Sequence, residues 1–150
     1  MADHDLAGRV HRLEAIEAIR QLKARYCEIC DDDHNPDEIV KIFTPDGTWE
    51  GRGVGRAEGH EQLRTLFAGF RDAISFSQHM VSNPVIDVQG MTATGRWYFF
   101  GLFKMRKNGR ALWQACRYHE TYRCDDDDHW RISSLKVAPP TLAADYQKGW

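Results

Sequence analysis

Segments with helical periodicity come first in this chain and long strand-like segments follow, and that order restricts the fold more than any other feature. Leu13, Ile16, Ile19, Leu22, Tyr26 and Ile29 fall on one helical face, so the spacing predicts a long first helix ending near Cys30. Asn35-Pro36-Asp37-Glu38 reads as the start of a second helix: a capping Asn, Pro at the first position and acids in the first turn. Ile39, Val40 and Phe43 supply its buried face. Thr44-Pro45-Asp46-Gly47 then reads as a turn and Thr48-Trp49-Glu50 as a short strand. The stretch 51–59 holds four glycines and reads as a loop, and Leu63, Leu66, Phe67 and Phe70 mark a third helix.

Strand patterns occupy the rest. Residues 76–87 read as one strand, with Pro84 at a bulge or an edge. Gln89-Gly90 turns the chain into a strand at 91–105. The Asn108-Gly109 pair is a strong hairpin signal leading into 110–124. Asp125–Asp128 forms the next turn, 129–138 the last strand, and Pro139-Pro140 ends it, leaving a surface extension. Helices followed by hairpin-linked strands predict a single α+β domain over 1–150, with the helices packed on one face of an antiparallel sheet. From Trp97 to Phe103 both faces of the long strand are apolar. Trp97, Phe99 and Phe103 lie on one face, Tyr98, Phe100 and Leu102 on the other. One face can line a pocket; the other calls for a second subunit, so a homodimer or homotrimer is expected.

Composition removes several function classes. The 150 residues are 42% apolar and 28% charged, enough to build a core and unlike a disordered chain. The net charge of −2 comes without a basic stripe, so no nucleic-acid partner is expected. No apolar run reaches the length of a membrane span and the N-terminus has no export signal, so the expectation is a cytoplasmic protein with no membrane partner. Reduced thiols follow for Cys27, Cys30, Cys116 and Cys124, which read as core residues.

Motif tests for cofactors are negative. Gly51–Gly59 lacks the Gly-Lys-Ser/Thr of a phosphate loop and fits no dinucleotide fingerprint. Asp31, Asp33 and Asn35 begin like a calcium loop, but Pro36 stands where Gly is required and Ile42 where the last Glu should be. The cysteine spacing does not suit zinc. No metal and no cofactor are expected.

Several short motifs together carry a family resemblance. They are Tyr26-x4-Asp31, Phe43-Thr44-Pro45-Asp46-Gly47, His79-Met80-x-x-Asn83-Pro84, Ala93-Thr94-Gly95-Arg96-Trp97-Tyr98, Tyr118-x-Glu120-x-Tyr122 and Trp130-Arg131-Ile132. Over about Leu13–Val137 the chain resembles the SnoaL-like branch of the nuclear-transport-factor-like superfamily, and within it scytalone dehydratase and the bile-acid dehydratases. The resemblance implies a highly curved sheet forming a cone with an internal pocket. It implies that Tyr26, Asp31 and His79 form the catalytic group of a cofactor-free lyase or isomerase acting on a hydrophobic cyclic carbonyl compound. Two positions depart from it: Gly101 stands where the bile-acid enzymes carry an aspartate, and Pro139 near where they carry an arginine. A non-catalytic binding module and the small subunit of a ring-hydroxylating oxygenase are the alternatives.

The residues fit that chemistry in outline. A histidine near its ordinary pKa can take an α-proton and return it to a leaving hydroxyl, the role expected of His79. A carboxylate on its other nitrogen would fix the tautomer. On an ideal helix Asp33 falls near the face of Tyr26 while Asp31 sits about 140° away, so geometry favours Asp33 and the resemblance Asp31. Tyr26 can donate its phenol to a substrate oxygen or serve as a core aromatic. Asn83 can add a donor or shape the turn before Pro84. Trp49, Phe67, Trp97 and Phe99 are expected to line the pocket. His119 and Glu120 lie on opposite faces of one strand, so only one of them points inward.

Overall fold

The computed structural model describes residues 5–148. Helix α1 spans Leu6–Asp31, and its buried stripe runs through Ala15, Ile19, Leu22, Tyr26, Ile29 and Cys30. The stripe starts later than the periodicity indicated: residues 6–14 are exposed, Leu13 among them. Asp33 and His34 both adopt left-handed backbone angles (φ 59° and 49°), and two such residues in succession end a right-handed helix. Helix α2 (Pro36–Ile39) opens as its sequence indicated. The Asn35 side-chain oxygen accepts from the backbone N–H groups of Asp37 and Glu38. A 3₁₀ turn over Val40–Ile42 carries the chain onward.

The remaining elements are β1 (Phe43–Gly51), β2 (Gly55–Glu58), α3 (Gly59–Ala73), β3 (Ile74–Gln89), β4 (Thr92–Met105), β5 (Ala111–Cys124) and β6 (Trp130–Asp145). They form one six-stranded sheet in the order β2-β1-β6-β5-β4-β3, not closed on itself. The sheet curls as an open cone around the side chains of α1 and α3. It is mixed, because β1 pairs with β6 in parallel while the other neighbours are antiparallel. The expectation of a purely antiparallel sheet fails at that one pair. Hairpin signals identify strands that are neighbours in sequence, and β1 and β6 are remote.

Three further local readings change. Thr44–Gly47 is a bulge inside β1, where five steps from Phe43 to Thr48 oppose two steps from Ile132 to Ser134. The glycine-rich stretch is the tip and second strand of a hairpin, with Gly53 at φ 74°. Strand β6 does not stop at Pro139-Pro140. Ala138 pairs with Arg117 and Leu142 with Ala115, so the intervening residues bulge out and the expected surface extension completes the sheet. Pro84 behaves as expected: β3 is an edge strand, and its register shifts between Ser82 and Val85.

Among the described residues, the core between α1, α3 and the concave face contains one wholly buried ion pair. Lys23 of α1 binds Glu120 of β5, and both side chains are fully buried. Tyr122 donates its hydroxyl to the second carboxylate oxygen, and Trp97 Nε1 donates to the Tyr122 oxygen at 2.9 Å. The Lys23 ammonium also sits over the rings of Tyr118 and Tyr26, at 3.7 and 4.3 Å. Glu120 is thus the inward member of its pair, and His119 is exposed. On the convex face Tyr98, stacked by the Arg117 guanidinium, remains exposed, as do Phe76 and Met80. Among the described residues no helix is long and apolar enough to cross a membrane.

Candidate active site

A cavity of about 680 Å³ lies between the two long helices and the concave sheet. Aromatic rings from Tyr26, Trp49, Phe67, Phe70, Phe99, Phe103 and Tyr118 share its wall with aliphatic side chains such as Leu66, Ile74, Met105 and Leu112. The polar groups reaching it are few, chiefly His34, His79, Gln114 and the thiols of Cys30 and Cys116. An apolar enclosure with a few convergent polar groups is the usual form of a small-molecule site.

His79 is the centre of that polar set. Its Nδ1 lies 2.7 Å from Asp31 Oδ1. The His79 backbone N–H donates to both oxygens of the same carboxylate, at 3.0 and 2.9 Å, and Ser77 Oγ donates to Oδ1 at 3.2 Å. An ionised carboxylate only accepts, so the Nδ1 proton is fixed and Nε2 of the neutral ring carries the lone pair. Phe99 and Phe103 hold the ring from two sides, with centroids 5.2 and 5.3 Å away.

The structure decides between the two aspartates. Asp31 is the last residue of α1, and edge strand β3 comes to it from the side, so the carboxylate need not share a face with Tyr26. Asp33 turns outward in its left-handed conformation and pairs with Arg71 and Arg106, each at 3.4 Å. The ideal-helix argument favouring Asp33 fails because the helix has ended.

Tyr26 lines the cavity, 2% exposed, and its oxygen accepts from Trp49 Nε1 at 2.9 Å. Burial drives its phenol pKa well up, so the group stays neutral with its own proton to donate. Burial likewise raises the pKa of the Cys30 thiol. Trp49, Phe67 and Phe99 line the cavity as expected. Trp97 and Asn83 do not. The Trp97 indole is committed to Tyr122 in the core, and Asn83 is exposed in the β3 bulge with φ 53°. Gly101 pairs with His79 across the sheet, and a Cβ there would lie 2.3 Å from the Phe99 ring. The two phenylalanines thus fill the place of a side chain at 101. Around Pro139, β6 offers the cavity only Val137 and Ala143.

One residue escaped the sequence reading. His34 is 4% exposed and lies against Phe67, Phe70 and His79, with ring centroids 6.1, 5.6 and 5.9 Å away. Burial, then the neighbouring His79, lowers its pKa from 6.5 to about 4, so it is a neutral imidazole at pH 7. Its available signal was a histidine three residues past Asp31, masked by an acidic run that read as a solvated connector. Of groups able to hold a metal, the described residues contain one cluster: Cys30, His34 and His79, whose ligand atoms lie within 4.8 Å of one another.

Fold and cavity together define an α+β cone with a carboxylate–histidine pair at the edge of an aromatic-lined chamber. The chain belongs to the SnoaL-like domain family, whose model matches residues 11–136, and its fold is that of the nuclear-transport-factor-like superfamily. Three solved structures illustrate the likeness. A Novosphingobium aromaticivorans protein provisionally named an aromatic ring hydroxylase has a TM-score of 0.81 and 24% identity, covering 91% of this chain and 96% of its own. The type 2 hexachlorocyclohexane dehydrochlorinase LinA scores 0.83 at 19% identity, covering 91% and 92%. A second N. aromaticivorans protein, provisionally named a scytalone dehydratase, scores 0.80 at 20% identity, covering 90% and 89%. At these identities the likeness is one of fold. A comparison with curated protein sequences gave no significant match.

Proposed function

We propose that this protein is a cofactor-free lyase that eliminates a small leaving group, water in the simplest case, from a hydrophobic cyclic carbonyl compound. The observation that carries the reading is the Asp31–His79 pair, which leaves one imidazole nitrogen free at an aromatic cavity. Two of the similar proteins are named for eliminations, a dehydratase and a dehydrochlorinase, which supports the reaction type.

Nε2 of His79 takes the proton on the carbon next to the carbonyl. The C–H electron pair becomes the new C=C bond, and the β-hydroxyl departs with the proton returned by His79. Asp31 holds the ring in its productive tautomer and stabilises the charge it gains. Tyr26 donates its hydroxyl to the carbonyl oxygen as negative charge develops there. Fused-ring, aromatic or steroid-like skeletons match the aromatic wall and the cavity volume.

The test is a panel of cyclic β-hydroxy ketones followed by ultraviolet absorbance of the conjugated product, with solvent deuterium exchange at the α-carbon read by NMR. Wild type is expected to form product or exchange the proton, and His79→Ala to bind the same compounds without doing either. Binding without exchange by wild type would discard the lyase reading in favour of a carrier.

A further inference from the structure

The groups that meet at one end of the cavity form a set that the proposed elimination does not exhaust. Cys30 ends the buried stripe of α1, and His34 follows four residues later. The His34 backbone N–H donates to the Cys30 carbonyl at 3.3 Å, which closes the turn and brings the two side chains together. His79 arrives from β3. Ligand atoms of all three lie within 4.8 Å of one another, and all three residues line the cavity. Among the described residues the His34 ring contacts Phe67, Phe70 and His79; the two phenyl rings offer its nitrogens no conventional partner, and the one lone pair among these neighbours is that of His79 Nε2.

We propose that Cys30, His34 and His79 form a binding site for a borderline-soft divalent cation of the zinc type, with the fourth coordination position open to the cavity. A thiolate and two imidazoles are a donor set that selects such ions over calcium or magnesium. Zinc bonds of about 2.3 Å to sulfur and 2.0–2.1 Å to nitrogen place neighbouring donors roughly 3.5 Å apart, so an ion draws these three in by about an ångström. The surroundings of His79 fit as well. A metal-bound imidazole commonly gives its other N–H to a carboxylate, and Asp31 already takes it at Nδ1. On binding, the Cys30 thiol gives its proton to solvent and the thiolate bonds the ion, so affinity rises with pH.

The site's effect on turnover rests on the proposed function. The lone pair that binds the ion is the one that takes the substrate proton, so an occupied site is a silenced base. The cation is an inhibitor held by the active site, not a cofactor for it. The cluster spans a helix end and a distant strand, so no cysteine or histidine spacing within one segment announces it.

The experiment uses the untagged full-length chain after chelator treatment, titrated with Co²⁺ and then with Zn²⁺ in competition. One equivalent of Co²⁺ is expected, with a thiolate-to-cobalt charge-transfer band that Zn²⁺ abolishes. Cys30→Ser should lose the band. His34→Asn, which suits the left-handed backbone, should weaken binding at least tenfold, and Asp31→Asn should do so by roughly 10–100-fold. Circular dichroism checks the fold of each variant. No stoichiometric binding, or binding unchanged in folded Cys30→Ser and His34→Asn, would overturn the site. If the ion binds as described but zinc-loaded protein still turns substrate over, the site stands and the base role of His79 falls.

Discussion

Besides an exposed Arg12–Asp87 ion pair, helix α1 carries the pairs of Lys23 and Asp31 to the sheet, eight residues apart, and these two differ in one decisive respect. At Lys23 every polar group finds a partner: Glu120 takes the ammonium and the Tyr122 hydroxyl, and Trp97 closes the network. At Asp31 the carboxylate is as well satisfied, but its partner His79 keeps a nitrogen facing the cavity. The first arrangement is complete and excludes water, so it serves as a fastening. The second is complete only on the protein side, so it is available for chemistry. A buried charge is therefore a poor marker of function by itself; an unspent lone pair beside a chamber is the better one.

The difference can be broken from either end. Glu120→Ala should lower unfolding stability by about 3–5 kcal/mol, because it strands the Lys23 ammonium inside the core. The double change Lys23→Met with Glu120→Leu should recover most of that loss in urea titrations. If Glu120→Ala costs nothing, the fastening reading is wrong. Asp31→Asn should reverse the pattern. The fold should persist, while turnover of any substrate identified should fall by roughly 10²–10⁴, since an amide no longer fixes the tautomer. Equal losses of stability and activity would erase the distinction between the pairs.

A smaller effect is expected from His34. Its folded pKa of about 4 lies below the unfolded 6.5, so over that interval the unfolded chain binds more protons. In metal-free protein its contribution is complete above pH 6.5 and is lost as pH falls toward 4, up to about 3 kcal/mol in all. The groups around it that also act on its charge are His79, Asp31, Asp33 and Arg71. His34→Asn should flatten the pH dependence of urea midpoints in that window; an unchanged slope would assign it elsewhere. Smallest of all is Asp33→Asn. Its ion pairs with Arg71 and Arg106 are half-exposed, so stability should change by about 0.5 kcal/mol or less and turnover should not move. A large loss of turnover there would restore the helix-face argument.

Much of this was legible in the chain because it depends on neighbours in sequence. The stripe from Ile19 to Ile29, the Asn35 cap, the Asn108-Gly109 hairpin and the Pro84 bulge are local patterns, and each appears where the pattern places it. Alternation along β4 correctly put Phe99 inside, yet it put Trp97 on the same face without showing that Tyr122 would claim it. Lys23 lies in the apolar stripe of α1 and drew no notice, because its partner is 97 residues away.

The sequence by itself determined the three helices and the long strands β3, β4 and β5, because periodicity and turn chemistry act over a few residues. Through the motifs around Asp31 and His79 it also pointed to the pair that meets at 2.7 Å. Tertiary structure decided the rest. The parallel partner of β1, the return of β6 beyond Pro139-Pro140, the inward turn of Glu120 and the meeting of Cys30, His34 and His79 all join remote segments. Such contacts form only once the sheet has curled beneath the helices, and no local pattern encodes which distant groups the curl brings together.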